Sequence, residues 1–97
     1  MKEQYIKSRL LKDMFVEYVS KVKALEVMQN QIAELEKNID ALDEDIEELE
    51  DAGLDRTVEI LCKTRNSLNL ERLELEIHVC KLRLWVAEFE KAQQLAR

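Results

Sequence analysis

The sequence predicts an all-α protein: a long antiparallel two-helix coiled-coil hairpin that turns at Gly53 and dimerises into a four-helix bundle. Three observations predict it. The 97-residue chain has no Pro, one Gly and 37% charged residues, a make-up that favours long helices and leaves one obvious place to turn. Apolar residues recur at alternating steps of three and four on both sides of that glycine, the signature of a helical seam. When the chain is folded back at Gly53, the two seams match layer for layer. The whole of 1–97 is therefore expected to be a single domain.

The first helix is expected over about 3–51. Its seam is Leu25, Met28, Ile32, Leu35, Ile39, Leu42, Ile46 and Leu49, a heptad pattern of the coiled-coil type. Towards the N-terminus the apolar positions Val22, Tyr18, Phe15 and Leu11 continue it. Two successive steps of three then meet at Leu25, a small phase slip that predicts local overwinding.

The turn is expected over 52–55. Gly53 suits the position just past a helix end, where a left-handed backbone costs glycine almost nothing, and Asp55 suits the N-cap of the second helix. A third helix would need a break near Gln29-Asn30-Gln31 or Asn66-Ser67, but neither site has Gly or Pro and the seam runs through both.

The second helix is expected over about 56–95, with Val58, Leu61, Arg65, Leu68, Arg72, Leu75, Val79, Leu82, Val86 and Phe89 as its seam. Leu49 then faces Val58, Ile46 faces Leu61, Ile39 faces Leu68, Ile32 faces Leu75, Met28 faces Val79, Leu25 faces Leu82 and Tyr18 faces Phe89. In each of these pairs the residue numbers add to 107, and Val22 against Val86 absorbs the slip. Arg65 and Arg72 fall opposite Leu42 and Leu35. Their stems can lie on apolar surface while the guanidinium groups reach Asp43 or Asp45, and Glu34 or Glu36, so they are expected to set the register at some expense of stability.

A second apolar row, Leu70, Leu73, Ile77, Cys80 and Leu84, lies at heptad positions opposite the seam. The first helix is also apolar beyond its seam, at Ile6, Leu10, Met14, Val16, Val19 and Val27. One hairpin cannot bury both faces, so a homodimer or a protein partner is expected on the row, with Trp85 as an anchor and Ile6, Leu10 and Met14 contributing at the open end.

Charge is uneven. Residues 1–23 carry six Lys or Arg against three acids, whereas residues 24–51 carry one Lys against eleven acids. Asp43, Glu44, Glu47, Glu48 and Asp51 therefore make an acidic surface at the turn. A solvated face that discourages aggregation accounts for it; a docking surface for a basic partner is the sharper reading.

Several classes are excluded by what the sequence lacks. Asp43-Glu-Asp has neither the glycine nor the ligand spacing of a calcium loop. His78 and Cys80 fall about 200° apart around a helix and make no metal pair. No base stands at helical spacing from either cysteine, and no glycine-rich loop can cradle phosphate. No catalytic residue, metal or cofactor is therefore expected, and the protein is expected not to be an enzyme. A net charge of -6 opposes direct nucleic-acid binding, and no apolar stretch reaches membrane-spanning length. Cys62 and Cys80, about 27 Å apart along one helix, cannot bridge within the chain. Reduced thiols and the absence of a signal peptide predict a cytoplasmic protein.

In architecture the chain resembles the small secreted hairpins of type VII secretion and the short coiled-coil chaperones of bacterial secretion systems. The former place Trp-x-Gly at the turn, whereas this turn reads Asp-Ala-Gly-Leu-Asp and the one tryptophan is Trp85; no family is assigned. The expected function is a scaffold, chaperone or regulatory adaptor acting through an apolar open end. The alternatives are a small acidic inhibitor or phage-type antagonist that fills a basic groove of a nucleic-acid-processing enzyme, and a secretion-associated hairpin.

Overall fold

The computed structural model describes the backbone of residues 2–95 and the side chains of residues 11–95. Two helices, α1 (Lys2–Asp51) and α2 (Asp55–Leu95), pack along each other as an antiparallel hairpin. The rod measures 77 × 20 × 14 Å. The 50 residues of α1, at about 1.5 Å each, account for its length.

The turn is closed by backbone chemistry. Gly53 has φ +76, its N–H bonds the Glu50 carbonyl at 3.0 Å, and the Leu54 N–H bonds the Leu49 carbonyl at 3.0 Å. This is the Schellman arrangement, which satisfies carbonyls that a helix end leaves open. The Val58 N–H bonds the Leu54 carbonyl at 3.1 Å, so Leu54, not Asp55, precedes the helix as its cap. Asp55 is instead the first helical residue, where its carboxylate complements the positive end of the α2 dipole.

All the seam positions from Leu25 to Leu49, and those from Val58 to Phe89, are buried or half-buried. Ile39, Ile46, Val79 and Phe89 are the buried ones. Few side chains are fully enclosed because a two-helix layer covers each seam from one side only. The Tyr18 and Phe89 rings stack with centroids 4.8 Å apart, which places this predicted layer directly.

The predicted slip at Leu25 does not occur. Lys21, half-buried, occupies the seam where Val22 was expected, and Val22 is 39% exposed. The half-buried positions Tyr18, Lys21, Leu25, Met28 and Ile32 keep an unbroken alternation of three and four, and Lys21 falls opposite Val86 in the same register as every other layer. The physical reason is the amphipathic lysine: its stem lies along the seam while its Nζ sits 5.0 Å from the centre of the Trp85 ring. Phe15 and Leu11, expected in the seam, are exposed. Leu95 would face Lys12 in this register, so α1 from Leu11 back to Lys2 runs past the last described turn of α2.

Candidate functional site

The structure sorts the candidate residues into three separate surfaces. The first is the outer face of α2. Leu70, Leu73, Ile77, Cys80 and Leu84 are all exposed, Leu70 and Leu84 by 63% and 65%. They project away from α1 because the opposite positions of the same helix hold the seam. Cys80 carries a free thiol on this face.

Trp85, expected with that row, is not part of it. Its half-buried ring belongs to a second surface at the open end, where four of the five aromatic residues form a ladder. Phe15 lies 6.1 Å from Tyr18, Tyr18 stacks on Phe89, and Phe89 stacks on Trp85 with centroids 5.6 Å apart and planes 6° from parallel. The Tyr18 hydroxyl donates a 2.7 Å hydrogen bond to Glu90 Oε1. This bond and partial burial raise the Tyr18 pKa above 10.0, because the neighbouring carboxylate favours the protonated phenol.

A cleft of about 430 Å³ opens beside the ladder, lined by Phe15, Tyr18, Phe89, Glu90, Gln93 and Gln94. Next to it α1 presents Leu11, Met14, Phe15, Val16, Val19 and Val22 to solvent. Ile6 and Leu10, the remaining open-end candidates, lie outside the described side chains.

The third surface is the acidic tip. Asp43, Glu44, Glu47, Glu48 and Asp51 are all exposed. Among the described residues, Asp43 alone of these five is ion-paired: Arg65 Nη1 donates to its Oδ1 at 3.2 Å. Arg72 Nη1 reaches Glu36 Oε1 at only 4.0 Å, and the Arg72 Nε is buried without a hydrogen-bond partner. Both arginines thus meet acids foreseen for them, Arg65 well and Arg72 poorly.

No protein family, curated protein or solved structure matches this chain. Its chemistry is therefore read from these surfaces alone.

Among the described residues, no group of three His, Cys, Asp or Glu side chains is placed to hold a metal ion, and no helix is long and apolar enough to cross a membrane. A groove along one flank of the hairpin is lined by Gln31, Glu34, Leu35, Asn38, Glu71, Glu74, Leu75 and His78. It is an open channel between two convex helices.

The aromatic ladder is what the sequence reading missed in part. The Tyr18–Phe89 layer was legible from the register. The inclusion of Trp85 and Lys21 was not, because Trp85 lies beside the seam and a lysine does not register in an apolar pattern.

Proposed function

We propose that this chain is a non-enzymatic protein-interaction module, a scaffold, chaperone or regulatory adaptor, that docks an amphipathic segment of a protein partner at its open end. The observation that carries the reading is an imbalance of apolar surface. Among the described side chains four are buried, while Leu11, Phe15, Val16, Val19 and Val22 are exposed together on one stretch of α1 beside the aromatic ladder. Soluble proteins rarely leave so contiguous a patch uncovered unless something binds it, and aromatic residues are favoured anchors in such contacts.

Charge describes the partner further. Lys12, Val16, Val19 and Lys23 form one row on α1, spaced four, three and four apart, and all four are exposed. An apolar ridge bracketed by lysines suits a helix whose own apolar stripe is bordered by acids, in the helix-in-groove manner.

The test is affinity capture from the cells that make the protein, comparing the natural chain with a Phe15→Ser, Val19→Ser, Val22→Ser variant. These positions are exposed, so the hairpin should remain helical. A protein retained by the natural chain and lost from the variant supports the reading, whereas retention by both chains, or by neither, overturns it.

The acidic tip supports a second reading, that of an inhibitor presented to a basic groove of a nucleic-acid-processing enzyme, since Glu44, Glu47, Glu48 and Asp51 are exposed and outside the ion pairs of the described residues. Converting these four to Lys should then abolish capture of the enzyme and leave helicity intact. Capture that survives the reversal sinks this alternative.

A further inference from the structure

We propose that the outer face of α2 is the interface of a homodimer in which the α2 helices of two copies pack antiparallel in one register, with the twofold axis between His78 and Val79. This surface is distinct from the open end and does not depend on what binds there.

Leu70, Leu73, Ile77, Cys80, Leu84 and Ala87 are exposed and spaced three, four, three, four and three apart, so the face away from α1 carries a heptad seam of its own. In an antiparallel coiled coil the two kinds of seam position alternate across the interface. With the axis at that point, Leu70 meets Ala87 of the second copy, Leu73 meets Leu84, and Ile77 meets Cys80. Symmetry repeats each contact, and every member of the row is used.

The charges beside the row choose this register. Glu74 and Lys81 flank it on one side, Glu76 and Arg83 on the other. In the proposed alignment Glu74 faces Lys81 of the second copy and Glu76 faces Arg83 of the second copy, and symmetry doubles both pairs. Sliding one helix by a heptad in one direction sets Glu74 against Glu74 and Glu76 against Glu76. Sliding it in the other sets Lys81 against Lys81 and Arg83 against Arg83. Both shifts replace attraction with repulsion, the device by which flanking charges fix coiled-coil pairing.

Neither cation has an acid three or four residues away on its own helix. The positions three and four residues from Lys81 are Ile77, His78, Leu84 and Trp85, and those from Arg83 are Val79, Cys80, Val86 and Ala87. None of the four flanking residues joins an ion pair among the described residues.

A parallel dimer would pair Glu76 with Lys81, but it would bring the two acidic tips to the same end. The antiparallel arrangement sets the tip of each copy, with eleven acids in residues 24–51, at the end where the other carries its six basic residues in 1–23. The four helices then lie side by side, α1 outermost, and do not form a square bundle.

Sedimentation equilibrium of the full chain under reducing conditions tests this. A dimer is expected, with Lys81→Glu raising its dissociation constant by about tenfold. Adding Glu74→Lys to Lys81→Glu should restore the natural affinity. A monomer throughout the micromolar range overturns the proposal, and so does a dimer indifferent to Lys81→Glu. Rescue by Glu76→Lys in place of Glu74→Lys would show parallel packing and overturn it too. The open-end variant carrying Phe15→Ser, Val19→Ser and Val22→Ser should dimerise normally, so failure of one surface is separable from failure of the other.

Discussion

Replacing Arg72 by leucine is expected to stabilise the hairpin. Arg72 sits in the seam opposite Leu35, its Nε is buried without a partner, and its one ion pair, to Glu36, spans 4.0 Å on an open flank. A buried donor left unpaired costs about 1–3 kcal/mol, whereas an exposed pair of that length contributes about 0–1 kcal/mol. Arg72→Leu removes the first, gives up the second and adds apolar contact, for a net gain of about 1–2 kcal/mol. For a domain of this size that gain raises Tm by about 5 °C or more. Arg65→Leu is the internal control: its guanidinium donates to Asp43 at 3.2 Å, so more is lost and the gain should be smaller. Thermal unfolding followed by far-ultraviolet circular dichroism measures both, at one fixed protein concentration because a dimer would make Tm depend on it. An unchanged or lower Tm for Arg72→Leu, or a larger gain for Arg65→Leu, would refute the reasoning.

Three other perturbations probe the turn and the ladder. Gly53→Ala should destabilise by about 1–2 kcal/mol, the cost of a left-handed backbone for an L-residue, since an added Cβ would meet nothing within 4 Å; a lower urea midpoint with unchanged slope reports it. Lys21→Ala should cost about 0.5–1 kcal/mol of cation–π attraction and shift the emission of Trp85, the sole tryptophan, to the red, while Lys21→Arg should retain the emission maximum. Tyr18 has its pKa raised above 10.0 by Glu90, so the stability it contributes is fully present below pH 10.0 and is lost as pH rises through the folded-state value. Subtracting the alkaline Tm profile of Tyr18→Phe from that of the natural chain isolates this loss, and parallel profiles would contradict it.

The layers from Leu25 to Leu49 and from Val58 to Phe89 were legible because only one glycine could reverse the chain and apolar spacing leaves one register around it. The exposed row from Leu70 to Leu84 was legible from the same register, which turns those heptad positions of α2 away from α1. Lys21 escaped because an apolar count treats lysine as polar, although its four-carbon stem packs as a hydrocarbon. The available signal was the heptad itself, which stays unbroken only if Lys21 is admitted to it. The cap at Leu54 was obscured by Asp55, a residue type that favours both the N-cap and the first turn, and only the Val58 hydrogen bond separates the two. Trp85 adjoins Leu84 in the sequence, yet neighbours on a helix point about 100° apart, which takes it off the outer row.

The position of the acidic tip has a kinetic consequence. Contact between Leu49 and Val58 closes the shortest loop in the molecule, and each further layer adds little chain to close once its neighbour is held, so assembly should nucleate beside Gly53 and zip towards the aromatic ladder. Asp40, Asp43, Glu44, Asp45, Glu47, Glu48, Glu50 and Asp51 all crowd that nucleus. Their mutual repulsion is felt in the transition state and relieved when salt shortens the Debye length to about 8 Å or less. Added salt should therefore quicken folding more than it slows unfolding, which makes the tip a throttle on how fast the hairpin forms.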